Sequence, residues 1–354
     1  MAEAPLAISF IIPVHNGAAN LRQCLARAAA CSPPAAEIIV VDDASTDASI
    51  ALASAAGART LRLPVRAGPA RARNCGAEVA TGDLLFFVDA DVALRPDATS
   101  QVLDAFEREP HLAAVFGSYD DTPGQSNFLS QYKNLLHHYT HQTSREDAST
   151  FWAGCGAIRR SVFAELGGFD ESYRRPSVED IELGIRLRRA GHAIRLRKTL
   201  QAAHLKRWTA GSLLTSDIRD RALPWTAVLL REGAVGNDLN LRWASRVSAM
   251  AVPAGLTALI AAAAWPPAWW MAGALGALLL VLNAPLYWFF ARKRGAAFAL
   301  GCVLWHWLYY LYSGAAFALG AGRHVIATRS TRSLGNRAVP LDATSTGTAR
   351  VRAR

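Results

Sequence analysis

The chain has 354 residues, room for one full α/β domain and further segments. Lys and Arg outnumber Asp and Glu by 38 to 28, a formal net charge of +10, although 51% of the residues are hydrophobic. No aromatic-interleaved basic patch or nucleic-acid motif accompanies that excess, which argues against a nucleic-acid partner.

Ile8 to Val14 (Ile-Ser-Phe-Ile-Ile-Pro-Val) is the first buried strand and ends in His15-Asn16-Gly17. After it, Leu21, Cys24, Leu25 and Ala28 recur at i, i+3, i+4, i+7, one apolar face of a helix. A second strand, Ile38 to Val41, ends in Asp42-Asp43-Ala44-Ser45-Thr46-Asp47, where Ser45 or Thr46 can cap a helix through about Ala56. Leu84 to Val88 is a third, closed by Asp89-Ala90-Asp91. Strand–helix alternation at this spacing predicts βαβ units and a largely parallel sheet. The first turn lacks a Gly-x-Gly-x-x-Gly, which disfavours a dinucleotide site. Asp89 and Asp91, two residues apart, point to the same side of an extended chain. At the carboxyl edge of a sheet strand, where open α/β folds bind ligands, they can share a hard cation such as Mg²⁺ or Mn²⁺.

Taken in order, Pro13-Val14-His15-Asn16, the Asp42 to Asp47 stretch, Ala72-Arg73-Asn74-Cys75-Gly76 with Gly82-Asp83, and Asp89-Ala90-Asp91 resemble the family 2 glycosyltransferases of the GT-A fold. The resemblance covers residues 7 to about 208. It implies a mainly parallel mixed sheet flanked by helices, and inverting, metal-dependent transfer of one sugar from a nucleotide-diphosphate sugar. The acceptor expected from the resemblance is a hydroxyl, lipid-linked or on an envelope glycan. In that frame Asp42 or Asp43 accepts a hydrogen bond from the base, and Pro13, His15 and Asn16 wall its pocket. Arg73 lies near the nucleotide, Asp89 faces ribose or metal, and Asp91 ligates Mg²⁺ or Mn²⁺.

Trp152 to Arg160 and Gly167-Gly168-Phe169-Asp170-Glu171 lead into Val178-Glu179-Asp180-Ile181-Glu182-Leu183, the start of an arginine-rich helix with Glu182 and Arg186 spaced as an i, i+4 pair. The resemblance makes Asp180 the general base, and a helix N-terminus is expected to hold its carboxylate ionised. Downstream, His204 is either a further metal ligand or a histidine bonded within its loop. Processive polymerases of the family carry Gln-x-x-Arg-Trp; here the stretch is His204-Leu205-Lys206-Arg207-Trp208, which favours transfer of a single sugar. His137, His138 and His141, in a region that breaks the strand–helix rhythm, read as surface histidines. The competing reading is a noncatalytic sugar-nucleotide-binding membrane scaffold; a receiver-like phosphate domain fails because its acids belong on the first strand.

The remaining chain is apolar. Val247 to Trp265 and Trp269 to Ala291 each reach the ~18–20 residues that cross a bilayer as helix, and Pro266-Pro267 separates them. A third run, Ala296 to Gly322, holds Trp305, His306, Trp307, Tyr309, Tyr310 and Tyr312, and suits either a span or an interfacial helix. Arg242, Arg246 and Arg292-Lys293-Arg294 flank the first two runs and predict a cytoplasmic catalytic domain on a bacterial-type inner membrane. The expected division is a catalytic domain over 1–208, amphipathic surface helices over 209–245 with tryptophans at headgroup depth, a membrane region over 246–322 and a poorly ordered basic tail over 323–354. Anionic lipid and a diphosphate ligand then account for the basic excess. Five scattered cysteines without a Cys-x-x-Cys, and no secretory signal in residues 1–20, fit a reduced cytoplasmic domain.

Overall fold

The computed structural model describes residues 5–233 and 242–335. Its N-terminal half is built on an eight-stranded sheet of order β3-β2-β1-β4-β7-β6-β8-β5. The strands are β1 Ile8–Val14, β2 Glu37–Asp42, β3 Arg59–Arg62, β4 Leu84–Val88, β5 Val92–Leu94, β6 Leu112–Tyr119, β7 Cys155–Arg159 and β8 Ala193–His204. β1 lies parallel to β2 and β4, with Ile11 opposite both Ile39 and Phe87. These three strands are buried on both faces: Phe10, Ile12, Val40 and Phe86 pack into one apolar layer, and Ile11, Ile39, Val41 and Phe87 into the other. That explains their unbroken apolar runs, as expected where helices cover both faces of a sheet.

The helices are α1 Ala18–Ala29, α2 Ser49–Ala55, α3 Pro69–Val79, α4 Ala98–Arg108, α5 Phe128–Thr143, α6 Arg160–Glu165 and α7 Glu179–Arg189. α1 buries the expected face, Leu21, Cys24, Leu25 and Ala28. α2 starts later than expected: neither Ser45 nor Thr46 caps it, because the Ser45 hydroxyl accepts from the Asn16 amide and the Thr46 hydroxyl donates to Asn16 Oδ1. The Glu182–Arg186 pair forms at 2.8 Å.

Two pairings decide where the site lies. β7 inserts antiparallel between β4 and β6, setting Val88 opposite Cys155 and tying the Asp89 amide to the Gly154 carbonyl. β5 pairs antiparallel with β8, setting Val92 opposite His204, and the Leu205 amide donates to the Asp91 carbonyl. Each joins segments far apart in sequence.

The segment after residue 208 is helical: α8 Ala210–Thr215, a π-helical stretch Ser216–Ala222 and α9 Leu223–Glu232. Of its tryptophans, Trp225 lines a cleft of the N-terminal domain and Trp243 is 64% exposed; residues 234–241 of the expected surface segment lie outside the described residues. Asp217, Thr226, Val228 and Leu229 are buried.

Three long helices follow, α10 Trp243–Ala261, α11 Ala268–Arg294 and α12 Ala296–Gly335. α10 and α11 are long and apolar enough to cross a membrane. Their outer surfaces present apolar side chains, with Ile260 78%, Trp270 85% and Val281 71% exposed. Both ends of this hairpin stay beside the N-terminal domain. Arg242 donates to the Thr143 carbonyl, while Lys293 pairs with Asp121 at 2.5 Å and Arg294 donates to the Asp121 carbonyl. A polar seam joins the three helices: Asn283 donates to Ser248 and accepts from Tyr310.

α12 touches α5 through Phe298 on Phe128, the π-helical stretch through Tyr312 on Asp217, and α9 through Gly320 against Thr226. Another of its faces, Leu300, Leu304, Leu308, Leu319 and Ile326, is exposed. The helix runs to Gly335, so the expected break at 323 is replaced by continued helix; residues 336–354 lie outside the described residues.

Candidate active site

Asp89, Asp91, Arg73, Glu179, Asp180 and His204 line one cleft of about 210 Å³ at the carboxyl edge of the sheet. β4 delivers Asp89 and Asp91, α3 delivers Arg73, the first turn of α7 delivers Glu179 and Asp180, and the end of β8 delivers His204.

Arg73 is buried and bridges two acids, with Asp89 at 2.7 Å and Glu179 at 2.8 Å. Burial disfavours its charge, but the two carboxylates outweigh that and raise its pKa, so it remains cationic. The guanidinium thus neutralises the acid cluster from within. Asn74, next in the chain, clamps a second loop: its amide group donates to the Phe169 carbonyl and accepts from the Phe169 amide. Gly76 sits against Ile11, where an added Cβ would approach to 2.5 Å. Each residue of Arg73-Asn74-x-Gly76 therefore has a separate steric or polar task.

Asp91 Oδ2 and His204 Nε2 stand 3.7 Å apart. Burial alone would raise the Asp91 carboxyl, yet His204 and Lys206 hold it below its ordinary value. His204 is stacked on Tyr119, with ring centroids 4.3 Å apart, and Trp152 meets that tyrosine in a T-shaped contact. A separation beyond hydrogen-bond length, within the ~4 Å that two ligands of one small cation can span, suits a shared hard ion. Among the described residues no group of three or more His, Cys, Asp or Glu side chains is arranged to hold a metal, so further oxygen ligands would have to come from elsewhere.

Asp180 departs from the expectation of a carboxylate kept ionised by its helix. Burial, and then the neighbouring Glu179 charge, push its pKa up to about 7, against the opposing pull of Arg73. Its Oδ2 accepts from the Ala153 amide at 3.1 Å. Desolvation here outweighs the helix terminus, whose effect is typically below ~1 kcal/mol.

The residues expected around a base are turned to structural work. Asp42 is fully buried; its Oδ1 accepts from the Ser45 amide and its Oδ2 lies 3.4 Å from Arg62. Asp43 accepts from the Ala67 and Gly68 amides at 2.6 and 2.9 Å. Both carboxylates are buried in this conformation, hold their own loops, and lie outside the lining of the cleft. Gly68 must be glycine, since its φ of 97° is left-handed and an added Cβ would lie 2.5 Å from the Arg174 carbonyl oxygen. His15 Nδ1 hydrogen-bonds the Asp43 carbonyl, and Asn16 Oδ1 accepts from Thr46, so the turn after Pro13 is braced against the second loop. That turn lies near the acid triplet: a Cβ added at Gly17 would come within 3.7 Å of the Ala90 Cβ.

The histidines of α5 are not on the surface. His138 and His141 are buried and hydrogen-bond the Tyr119 and Gly117 carbonyls, and His137 and His141 line the cleft beside Trp152. Sequence reasoning also missed the cationic wall, Lys133, Lys206 and Arg221, which faces the carboxylates. Lys133 pairs with buried Asp217 at 2.6 Å and Lys206 lies over the Trp208 ring. Nothing in their local spacing marks them, because α5, β8 and the π-helical stretch meet only in the fold.

Residues 9–167 match the family model for glycosyl transferase family 2. A pre-mycofactocin glycosyltransferase of Mycobacterium tuberculosis is 29% identical over 218 residues, 57% of this chain and 44% of that protein. The succinoglycan biosynthesis protein ExoU of Rhizobium meliloti is 38% identical over 107 residues, 29% of this chain and 31% of that protein. These alignments span less than half the length of either relative. Among solved structures, the mannosyltransferase PcManGT from Pyrobaculum calidifontis, in complex with GDP-Man and Mn²⁺, superposes with a TM-score of 0.60 at 19% identity, covering 86% of this chain and 88% of that one. The likeness extends through the mixed sheet and its flanking helices into the C-terminal region. Residues 9–167 are therefore a family 2 glycosyltransferase domain, on a GT-A fold followed by a helical region with two apolar helices.

Proposed function

We propose that the protein is an inverting glycosyltransferase that moves one sugar from a nucleotide-diphosphate donor to a hydroxyl acceptor, lipid-linked or on an envelope glycan, at a membrane surface. The observation that carries this reading is the meeting of Asp91, His204 and Asp180 in one cleft, from three segments that chain order keeps apart. The donor class agrees with the nucleotide sugar held by the mannosyltransferase of like fold.

The turn after Pro13 and the loops held by Asp42 and Asp43 would bound the nucleotide, and Asp89, fixed by Arg73, would face its ribose side. Asp91 and His204 would hold Mg²⁺ or Mn²⁺, with donor diphosphate oxygens completing the shell. When bound, the cation supplies Lewis-acid stabilisation of the departing diphosphate. Asp180 accepts the proton of the acceptor hydroxyl as its oxygen bonds to the anomeric carbon; the bond from that carbon to the diphosphate breaks, and the electron pair leaves with the diphosphate. A carboxylate that titrates near neutrality is a stronger proton acceptor than an ordinary one, provided it is ionised.

The α10–α11 hairpin would cross the membrane twice. Both of its ends lie beside the catalytic domain and carry Arg242, Lys293 and Arg294, as the positive-inside rule expects of a cytoplasmic domain. α12, packed on α5 through Phe298 and on α9 through Gly320 and exposing a leucine stripe, suits an interfacial position. The test is a panel of nucleotide-diphosphate sugars with membranes as acceptor source, assayed by diphosphate release with and without chelator. Release that depends on one donor and on Mg²⁺ or Mn²⁺ is expected; absence of release with every donor would overturn the reading.

A further inference from the structure

A second cavity, of about 980 Å³, lies between α5, α9 and the three long helices. Leu136, Thr140 and Tyr309 line both it and the catalytic cleft, so one layer of side chains separates the two spaces. Its walls are mainly apolar, and its volume is at the upper end of the ~300–1,000 Å³ usual for small-molecule sites. Met250 and Phe317 line it while remaining 64% and 49% exposed, so it also opens on the apolar outer surface. Among the described residues no carboxylate lines it, and its charged lining groups are Arg242 and Arg246. On the cleft side of the partition stand Lys133, Lys206 and Arg221. Lys133 is spent on Asp217, whereas the Arg221 side chain makes no hydrogen bond or ion pair among the described residues and acts electrostatically on Asp180.

We propose that this cavity is the chain-binding half of the acceptor site, and that the acceptor is an anionic lipid. Its hydrocarbon chain enters from the bilayer past Met250 and Phe317 and lies in the apolar space. The headgroup passes Tyr309 into the cleft, where its phosphate meets Arg221 and Lys206 and its hydroxyl reaches Asp180. The proposal rests on the glycosyl-transfer reading and adds to it the acceptor's class and its path. A structural pocket for bulk phospholipid would need the apolar space alone. It would not need an opening that shares a wall with the cleft, nor cations waiting beyond that wall.

The test uses the full-length protein in detergent and two photoreactive probes with the same diazirine-bearing hexadecyl chain, one ending in phosphate and the other in phosphocholine. The phosphate probe is expected to crosslink peptides carrying Met250, Leu282 or Phe317. Excess unlabelled hexadecyl phosphate should cut that labelling about tenfold, the effect of roughly one decade in occupancy, and hexadecyl phosphocholine should cut it far less. Ala249→Trp, which places a ring in the cavity, should reduce labelling similarly; the competition arm on wild type stands should that variant fail to fold. Arg221→Gln should erase the headgroup preference while leaving the chain's crosslink sites in place. Equal labelling by both headgroups, or labels spread over the outer faces at Ile260 and Val281, would overturn the proposal in favour of bulk lipid. Donor turnover is followed in parallel on the wild type. Loss of all donor turnover with selective labelling would sink the enzyme reading and leave the lipid site, whereas turnover with unselective labelling would sink the lipid site alone.

Discussion

Replacing Asp180 by asparagine separates chemistry from stability with opposite signs. Asparagine keeps the shape and can still accept from the Ala153 amide, but it removes a charge that burial and Glu179 both oppose. A carboxyl that titrates at about 7 instead of 3.8 carries a penalty in the ionised fold whose ceiling, at ~1.4 kcal/mol per pH unit, is about 4 kcal/mol. Asp180 is only half-buried, and solvent screening brings the figure down to about 1–2 kcal/mol. The sign follows from linkage: the raised pKa means that the native state binds the proton more tightly, so the penalty is absent below about 3.8 and complete above about 7. Asp180→Asn should therefore raise the unfolding midpoint by a few degrees at pH 8, at ~2–4 °C per kcal/mol, and this gain should vanish toward pH 4. Diphosphate release should fall by ~10²-fold or more, and the wild-type rate should climb with pH through about 7 as the base ionises. Thermal unfolding followed by tryptophan fluorescence at pH 8, 6 and 4, beside the release assay, checks both halves. A variant that turns over normally, or is equally stable relative to wild type at every pH, would refute the argument.

Three further outcomes are expected. Asp91→Ala should abolish transfer while leaving the fold intact, and EDTA should do the same to wild type with recovery on adding Mg²⁺ or Mn²⁺; unchanged rates in chelator would remove the metal from the site. Arg73→Met strands buried Glu179 beside Asp89, and losing one partner of such a pair costs about 3–5 kcal/mol, read as a lowered denaturation midpoint together with lost activity. Reporters fused after Arg294 and within the Pro266-Pro267 turn should give opposite sides of the membrane, a fusion at Arg354 should match the Arg294 side, and the intact chain should resist carbonate extraction.

The sequence by itself determined the local features. Strands β1, β2 and β4, the helical face of α1, the Glu182–Arg186 pair and the double-proline break between α10 and α11 depend on neighbours within a few residues, so periodicity and turn chemistry reveal them. The ordered acidic motifs carried the family for the same reason. Only the tertiary structure decided what those residues do. Asp43 looks like a ligand contact in sequence, yet two loop amides 24 and 25 residues away occupy its carboxylate. Asp180 looks ionised at a helix start, but the β7 insertion brings Ala153 and the buried cluster against it, and burial depends on chain segments that no local window contains. The α5 histidines, the cationic wall and the cavity behind Tyr309 were illegible for that reason: each exists only where helices distant in sequence meet, and packing free energy, unlike helix or strand propensity, is a property of pairs of segments.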